Sequence, residues 1–263
     1  MTRLAGAVGR WTLDLLQAGL RVSSLMVDTL AAVAATPFRG RSARGRAAVE
    51  SFAEFGSRSL PIVGMISLLV GVIIALQSSY TLERWGAQRF IATLVAVSAL
   101  REMAPLMTAI LITGRSGSAI TAEIGTMQVN EEIDALEVMG IDPIRYLVVP
   151  RFVAMVLAVP AVTVVSMFIM VAGGLFTSVW VVGVPGGVYL DQTVQSLVAR
   201  DLVIGLTKSV FFGVAICWVG VYRGFQVRGG AGEVGRATTS SVVTSIFLVI
   251  LIDLVFTVFF YFV

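Results

Sequence analysis

The chain has 263 residues, 57% of them hydrophobic and only 13% charged, with a formal charge of +3 and a mean hydropathy of +0.92. Soluble domains carry about 25% charged residues and need polar surface to cover a core, so this composition excludes a soluble globular protein and indicates an integral membrane protein. There is no His and a single Cys, Cys217, which removes histidine metal sites, histidine proton relays and internal disulfides.

Residues 1–35 do not read as a signal peptide, because Arg10, Asp14, Arg21 and Asp28 interrupt any apolar core. They read as an amphipathic helix. Leu4, Val8, Trp11, Leu15, Ala18, Val22 and Leu25 recur at steps of three and four, and Arg3, Arg10, Asp14, Gln17, Arg21, Ser24 and Asp28 form the opposite stripe. Such a helix can lie in the membrane interface with Trp11 at headgroup level, or pack on protein. Pro37 ends it, and Arg39, Arg41, Arg44 and Arg46 make a basic linker suited to anionic headgroups. Residues 1–58 are thus an N-terminal interfacial segment, and 59–263 a membrane domain. No aromatic platform accompanies the arginines, so nucleic-acid binding is not expected.

Five apolar segments follow: Leu60–Ser79, Phe90–Thr113, Phe152–Gly183, Leu202–Tyr222 and Val242–Val263. Each meets the roughly 20 residues that a helix needs to cross the hydrocarbon layer. Pro160 and Gly173–Gly174 predict a kink or tilt in the third. The fold class expected is therefore an all-α membrane protein with an interfacial helix and five transmembrane helices. Eight arginines lie in residues 1–58, with Arg115, Arg145 and Arg151 after the second span and Arg223, Arg228 and Arg236 after the fourth. The positive-inside rule places these on the cytoplasmic side, with the N-terminus inside and the C-terminus outside.

The long polar interruption is 114–151, GRSGSAITAEIGTMQVNEEIDALEVMGIDPIRYLVVPR, which holds six of the 16 acidic residues. Asn130 is placed to cap a helix, Glu131 and Glu132 suit its first turn, Gly140 ends it, and Pro143 prevents continuation. This predicts a short cytoplasmic helix, Glu131–Met139, with an apolar edge from Ile133 and Leu136 and an acidic rim from Glu131, Glu132, Asp134 and Glu137. It suits docking into a groove on a basic partner; a solvated connecting helix fits the same pattern. Before it, Gly114, Ser118 and Ala122 recur every fourth residue, which predicts close approach of a neighbouring helix.

This stretch, with ALREMAP (99–105) and GRATTSSVV (235–243), resembles the signature region of the MlaE (YrbE) family, the permease subunits of ATP-binding-cassette lipid transporters that work with MCE proteins. The resemblance covers most of the chain from about residue 50. It implies a homodimer in the cytoplasmic membrane, two cytoplasmic ATPases docked on the short helix through Glu131–Met139, a periplasmic MCE partner, in some systems a STAS-domain protein, and a phospholipid substrate. ATP and Mg would be bound by the ATPase. The residues agree in one respect: the chain has no GxxxxGK[ST] phosphate loop.

Arg101 and Glu102 fall in the second span, Lys208 in the fourth and Asp253 in the fifth. A charge at mid-bilayer costs about 2.5–3.5 kcal/mol even on the mildest scale, so these face a cavity, pair, or snorkel. Glu102 and Lys208 are candidates to meet a lipid headgroup, or to close an ion pair when the cavity is empty; Arg101 and Asp253 are further membrane charges. Leu69, Ile73, Leu76 and Tyr80, with Leu68, on the first span are candidates to line an acyl-chain cavity. Two rivals stand beside the lipid permease: an ion-coupled secondary carrier using Glu102 and Asp253, and a non-transporting membrane scaffold.

Overall fold

The computed structural model describes residues 26–33 and 43–262, and every regular element within them is helical. The chain runs through α1 (Ala43–Phe55), α2 (Leu60–Glu83), α3 (Gln88–Val129), α4 (Glu132–Val138), α5 (Ile144–Val182), α6 (Gly186–Ser196), α7 (Ala199–Phe225) and α8 (Ala231–Phe262). Five runs are long and apolar enough to cross a membrane: α2, taken with α1 through the bend at Gly56, then α3, α5, α7 and α8. The protein is a multi-pass, all-α membrane protein. Residues 26–33 are helical, but the interfacial helix expected over residues 4–25 and the linker arginines Arg39 and Arg41 lie outside the described residues.

The expected spans fall within longer helices, mostly toward one end: Phe90–Thr113 opens the run Gln88–Val129, while Phe152–Gly183 and Val242–Val263 close the runs Ile144–Val182 and Ala231–Phe262. The run Gln88–Val129 has 42 residues, about 63 Å at 1.5 Å per residue, twice the roughly 30 Å of hydrocarbon. The second span therefore carries straight on through the polar residues after Gly114 rather than leaving helix there. Hydropathy finds where a helix meets lipid, not where it ends. The second half of the basic linker differs as well. Residues 43–55 form α1, whose Ala48 and Phe55 are buried against the body. Arg115 braces the bend that follows, donating to the Glu54 carbonyl at 3.0 Å and to Ser59 Oγ at 2.8 Å.

Packing depends on close backbone approach. A Cβ on Gly71 of α2 would lie 2.0 Å from the Met170 carbonyl oxygen of α5, and one on Gly173 would lie 2.4 Å from that of Leu68. Ser67 and Ser166 share a buried 2.7 Å hydrogen bond at the same crossing. In lipid, helices gain from such contacts because tails solvate apolar side chains as well as protein does. α3 meets α7 in the same way. A Cβ on Gly205 would lie 2.1 Å from the Leu100 oxygen, and one on Gly224 would lie 2.8 Å from Ile124 Cβ. Thr121 Oγ1 then joins three helices, with the Gly220 carbonyl at 3.1 Å and Ser241 Oγ at 2.8 Å. α3 is the hub, contacting α2, α5, α7 and α8.

The close face of α3 is not the one expected. A Cβ on Gly114 would meet nothing within 4 Å, whereas one on Gly117 would lie 2.9 Å from Ile216 and one on Gly125 2.9 Å from Val227. The repeat Gly114, Ser118, Ala122 had the right period on the wrong side of the helix. A π turn at Thr113–Gly117 also displaces the simple 3.6-residue count. Cys217 is a buried free thiol in the core.

Candidate functional site

The charges in the spans converge. Lys208 of α7 is wholly buried, and its Nζ donates to Glu102 Oε2 of α3 at 2.6 Å and to Thr257 Oγ1 of α8 at 2.8 Å. It lies 2.9 Å from Asp253 Oδ1 of α8, an ion-pair distance at which that oxygen is outside hydrogen-bond geometry. Thr257 Oγ1 donates in turn to Glu102 Oε1 at 3.2 Å. One ammonium thus gives hydrogen bonds to a carboxylate and a hydroxyl and lies in ion-pair contact with a second carboxylate, all from two other helices. The Glu102 side chain keeps 31% exposure and that of Asp253 16%. Of the two alternatives for Glu102 and Lys208, headgroup contact or an ion pair, the structure shows the ion pair.

The local sequence explains the aim of Glu102. Pro105 has no N–H to give the helix, and the turn just before it, Ala99–Met103, widens to a π turn carrying Arg101 and Glu102. The two point apart, as adjacent helical residues must. Arg101 pairs with Asp201, Nε to Oδ1 at 2.5 Å, while Asp201 Oδ2 accepts the Val198 N–H at 3.2 Å and so caps α7. Asp201 and Thr257 were missed from sequence. Asp201 sat at the edge of an outer loop, and Thr257 is legible only as the residue four beyond Asp253.

The first-span candidates Leu69, Ile73, Leu76 and Tyr80 lie on the exposed face of α2, opposite the Gly71 crossing, whereas Leu68, its side chain also exposed, sits at the edge of that crossing. Within one chain they touch none of the charged cluster's hydrogen bonds. Tyr80 is partly engaged, since its hydroxyl accepts from Arg84 at 2.6 Å and its ring lies beneath the Arg84 guanidinium. Between the spans α5 and α7, α6 anchors through Tyr189, whose hydroxyl donates to the Val171 carbonyl at 3.3 Å; burial pushes this phenol up, so it stays a donor.

The short acidic helix exists as α4, Glu132–Val138. Asn130 does not cap it. Asn130 closes the end of α3 and its side chain donates to Glu132 Oε1 at 3.1 Å, while Glu131 makes the reversal at φ 60°, the one non-glycine residue at positive φ among the described residues. Gly140 ends α4 at φ 73°, with Gly140 N–H to the Glu137 carbonyl and Ile141 N–H to that of Leu136, a Schellman arrangement. Ile133 and Leu136 are buried in the chain's own core and offer no apolar edge to a partner. A seven-residue helix holds its place only by burying such side chains. What α4 presents outward is Glu131, Glu132, Asp134 and Glu137, with Val138 88% and Met139 64% exposed. Beside it opens a cavity of about 870 Å³ lined in part by Glu123, Glu132, Tyr146 and Arg151, with Arg151 paired to Glu123 at 2.5 Å. Among the described residues no group of His, Cys, Asp or Glu is arranged to hold a metal ion.

The family model for the permease MlaE matches residues 48–259. A probable ABC transporter permease protein of Rickettsia typhi is 39% identical over 196 residues, 74% of this chain and 76% of that one. One of Rickettsia bellii is 33% identical over 261 residues, 99% of each chain. The intermembrane phospholipid transport system permease protein MlaE of Haemophilus influenzae is 34% identical over 210 residues, 80% of each chain.

Proposed function

The chain belongs to the MlaE permease family, and from that membership we propose that it is the membrane subunit of an ATP-driven phospholipid transporter. The observation that carries this reading is the buried Lys208 with its two carboxylates, set where α3, α7 and α8 meet inside the membrane. A buried ammonium attracts a phosphate. Glu102 and Asp253 neutralise it while the site is empty and turn to the amine of a zwitterionic headgroup when it is filled. Acyl chains would run along the exposed apolar face of α2 through Leu69, Ile73 and Leu76.

Two copies form the working unit in the inner membrane, with α4 cytoplasmic and the C-terminus periplasmic. A separate ATPase binds ATP and Mg and docks a basic groove on the acidic rim of α4, engaging Val138 and Met139. Its closure moves α4, and α3 carries that movement to Glu102 as one continuous helix. Lipid is exchanged with a periplasmic MCE protein, serving envelope lipid trafficking; a STAS-domain protein is a further partner. Purifying the tagged chain gently from its native membrane, with mass spectrometry of proteins and lipids together, is expected to return an ATPase, an MCE protein and phospholipid. A chain repeatedly free of ATPase would refute the reading.

Two carboxylates on one lysine also suit a proton-coupled carrier using Glu102 and Asp253. That reading requires transport that persists with a hydrolysis-dead ATPase and collapses with the proton gradient.

A further inference from the structure

At the end of the bundle that carries α4, the turn from α7 to α8 encloses a pocket of about 500 Å³ whose lining includes Arg223, Gln226, Arg228, Glu233, Arg236 and Ser240. Its place is fixed by Gly125, near the end of α3, where a Cβ would lie 2.9 Å from Val227 and 3.6 Å from Val234. Three guanidinium groups face a single carboxylate. Arg236 spends part of its fork on Glu233, with Nε to Oε2 at 3.3 Å, and Arg223 spends one donor on Thr244 Oγ1 at 3.3 Å. Arg228 is exposed and has no hydrogen bond or ion pair among the described residues. Each guanidinium carries five donors, so most of the pocket's donors are unspent.

We infer that this pocket binds the phosphate of an anionic phospholipid headgroup, a site separate from the Lys208 cluster. α7 and α8 both enter their apolar runs here, and Ser240 of α8 stands in the pocket wall. Basic pockets between helices at that level match a headgroup in charge and depth. A basic ATPase surface, the kind that complements α4, is repelled by three arginines. Assignment to the inner leaflet rests on the orientation proposed above; the anion site does not. Because α8 bears Asp253 and Thr257 further along, a lipid held at its start also anchors the helix that completes the Lys208 cluster.

The test is native mass spectrometry of the full chain in mild detergent, titrated with dioleoyl phosphatidylglycerol, dioleoyl phosphatidylcholine or inorganic phosphate. Phosphatidylglycerol is expected to bind preferentially, and Arg228→Gln with Arg236→Gln to weaken it about tenfold. Arg58→Gln, an arginine elsewhere at the surface, is expected to leave that preference intact; in a Lys208→Met background, which lowers lipid at the transport site, the double arginine variant is expected to weaken the remaining preference by the same factor, which separates the two sites. A double variant that keeps the preference overturns the proposal. So does inorganic phosphate displacing the lipid at matched concentration, which would make the occupant a soluble phosphate.

Discussion

Lys208 is the residue whose removal is most informative. Without it, Glu102 and Asp253 are left together in the membrane with no cation, and breaking a buried ion pair from one side costs about 3–5 kcal/mol. Lys208→Met is therefore expected to melt several degrees lower and to carry less phospholipid. Adding Glu102→Gln and Asp253→Asn removes the stranded charges and is expected to recover the melting temperature but not the lipid. If the triple variant binds lipid normally, the cluster is structural and the headgroup role is lost. Two glycines give a second contrast. Gly71→Ala drives a Cβ into the Met170 carbonyl, an overpacking cost of about 1–3 kcal/mol, whereas Gly114→Ala enters open space and gains about 0.5–1 kcal/mol of helix propensity. Thermal melts of the two in detergent should move in opposite directions. A loss at Gly114 would show that another chain covers that face.

At the scale of an element, α4 separates docking from folding. Ile133 faces the core and Val138 faces out, so Ile133→Asp is expected to lower stability, while Val138→Asp leaves the melt unchanged and loses the co-purifying ATPase. Retention of the ATPase by Val138→Asp at wild-type stoichiometry would move the docking surface elsewhere. The same helix shows what was legible in sequence. Its existence and its stop were, because Gly140 and Pro143 punctuate locally. Which apolar side chains it buries was not, because a helix of two turns has the same pattern whether Ile133 and Leu136 meet a partner or their own chain. The five spans were legible from apolar length, since lipid acts on each segment independently. The side of α3 that packs on α7 was not, since the stretch offers small residues on more than one face and only the crossing puts Gly117 against Ile216. Glu102 and Lys208 could be named because charge in a membrane is costly wherever it falls. Their partner Thr257 and the Arg101–Asp201 pair depend on how three helices cross.

At the scale of the molecule, the bundle is one-sided. Of α7's most apolar window 61% is buried, against 11% for α8. α2 and α8 both reach the Ala104–Ile112 stretch of α3 but are not a packed pair, and Glu102, just before that stretch, keeps its exposure. A second copy closing that side would turn an open face into a cavity floored by the Lys208 cluster and walled by α2. The first turns of α8 favour such a contact beside the anion pocket: a cavity of about 630 Å³ is lined by Gly232, Gly235, Thr239 and Val243, with Arg236 and Ser240 shared between the two, and its glycines and threonine let backbones approach. With Cys217→Ala as background, Thr239→Cys and Val243→Cys are expected to give disulfide-linked dimers in native membranes under mild oxidation, which requires Cβ atoms about 4 Å apart. Phe168→Cys on α5, exposed on a different helix, is the control and is expected to stay monomeric. If α8 positions cross-link no better than Phe168→Cys, the cavity is not built by two α8 helices. Lipid would then have to reach Glu102 from the bilayer through the gap in a single chain.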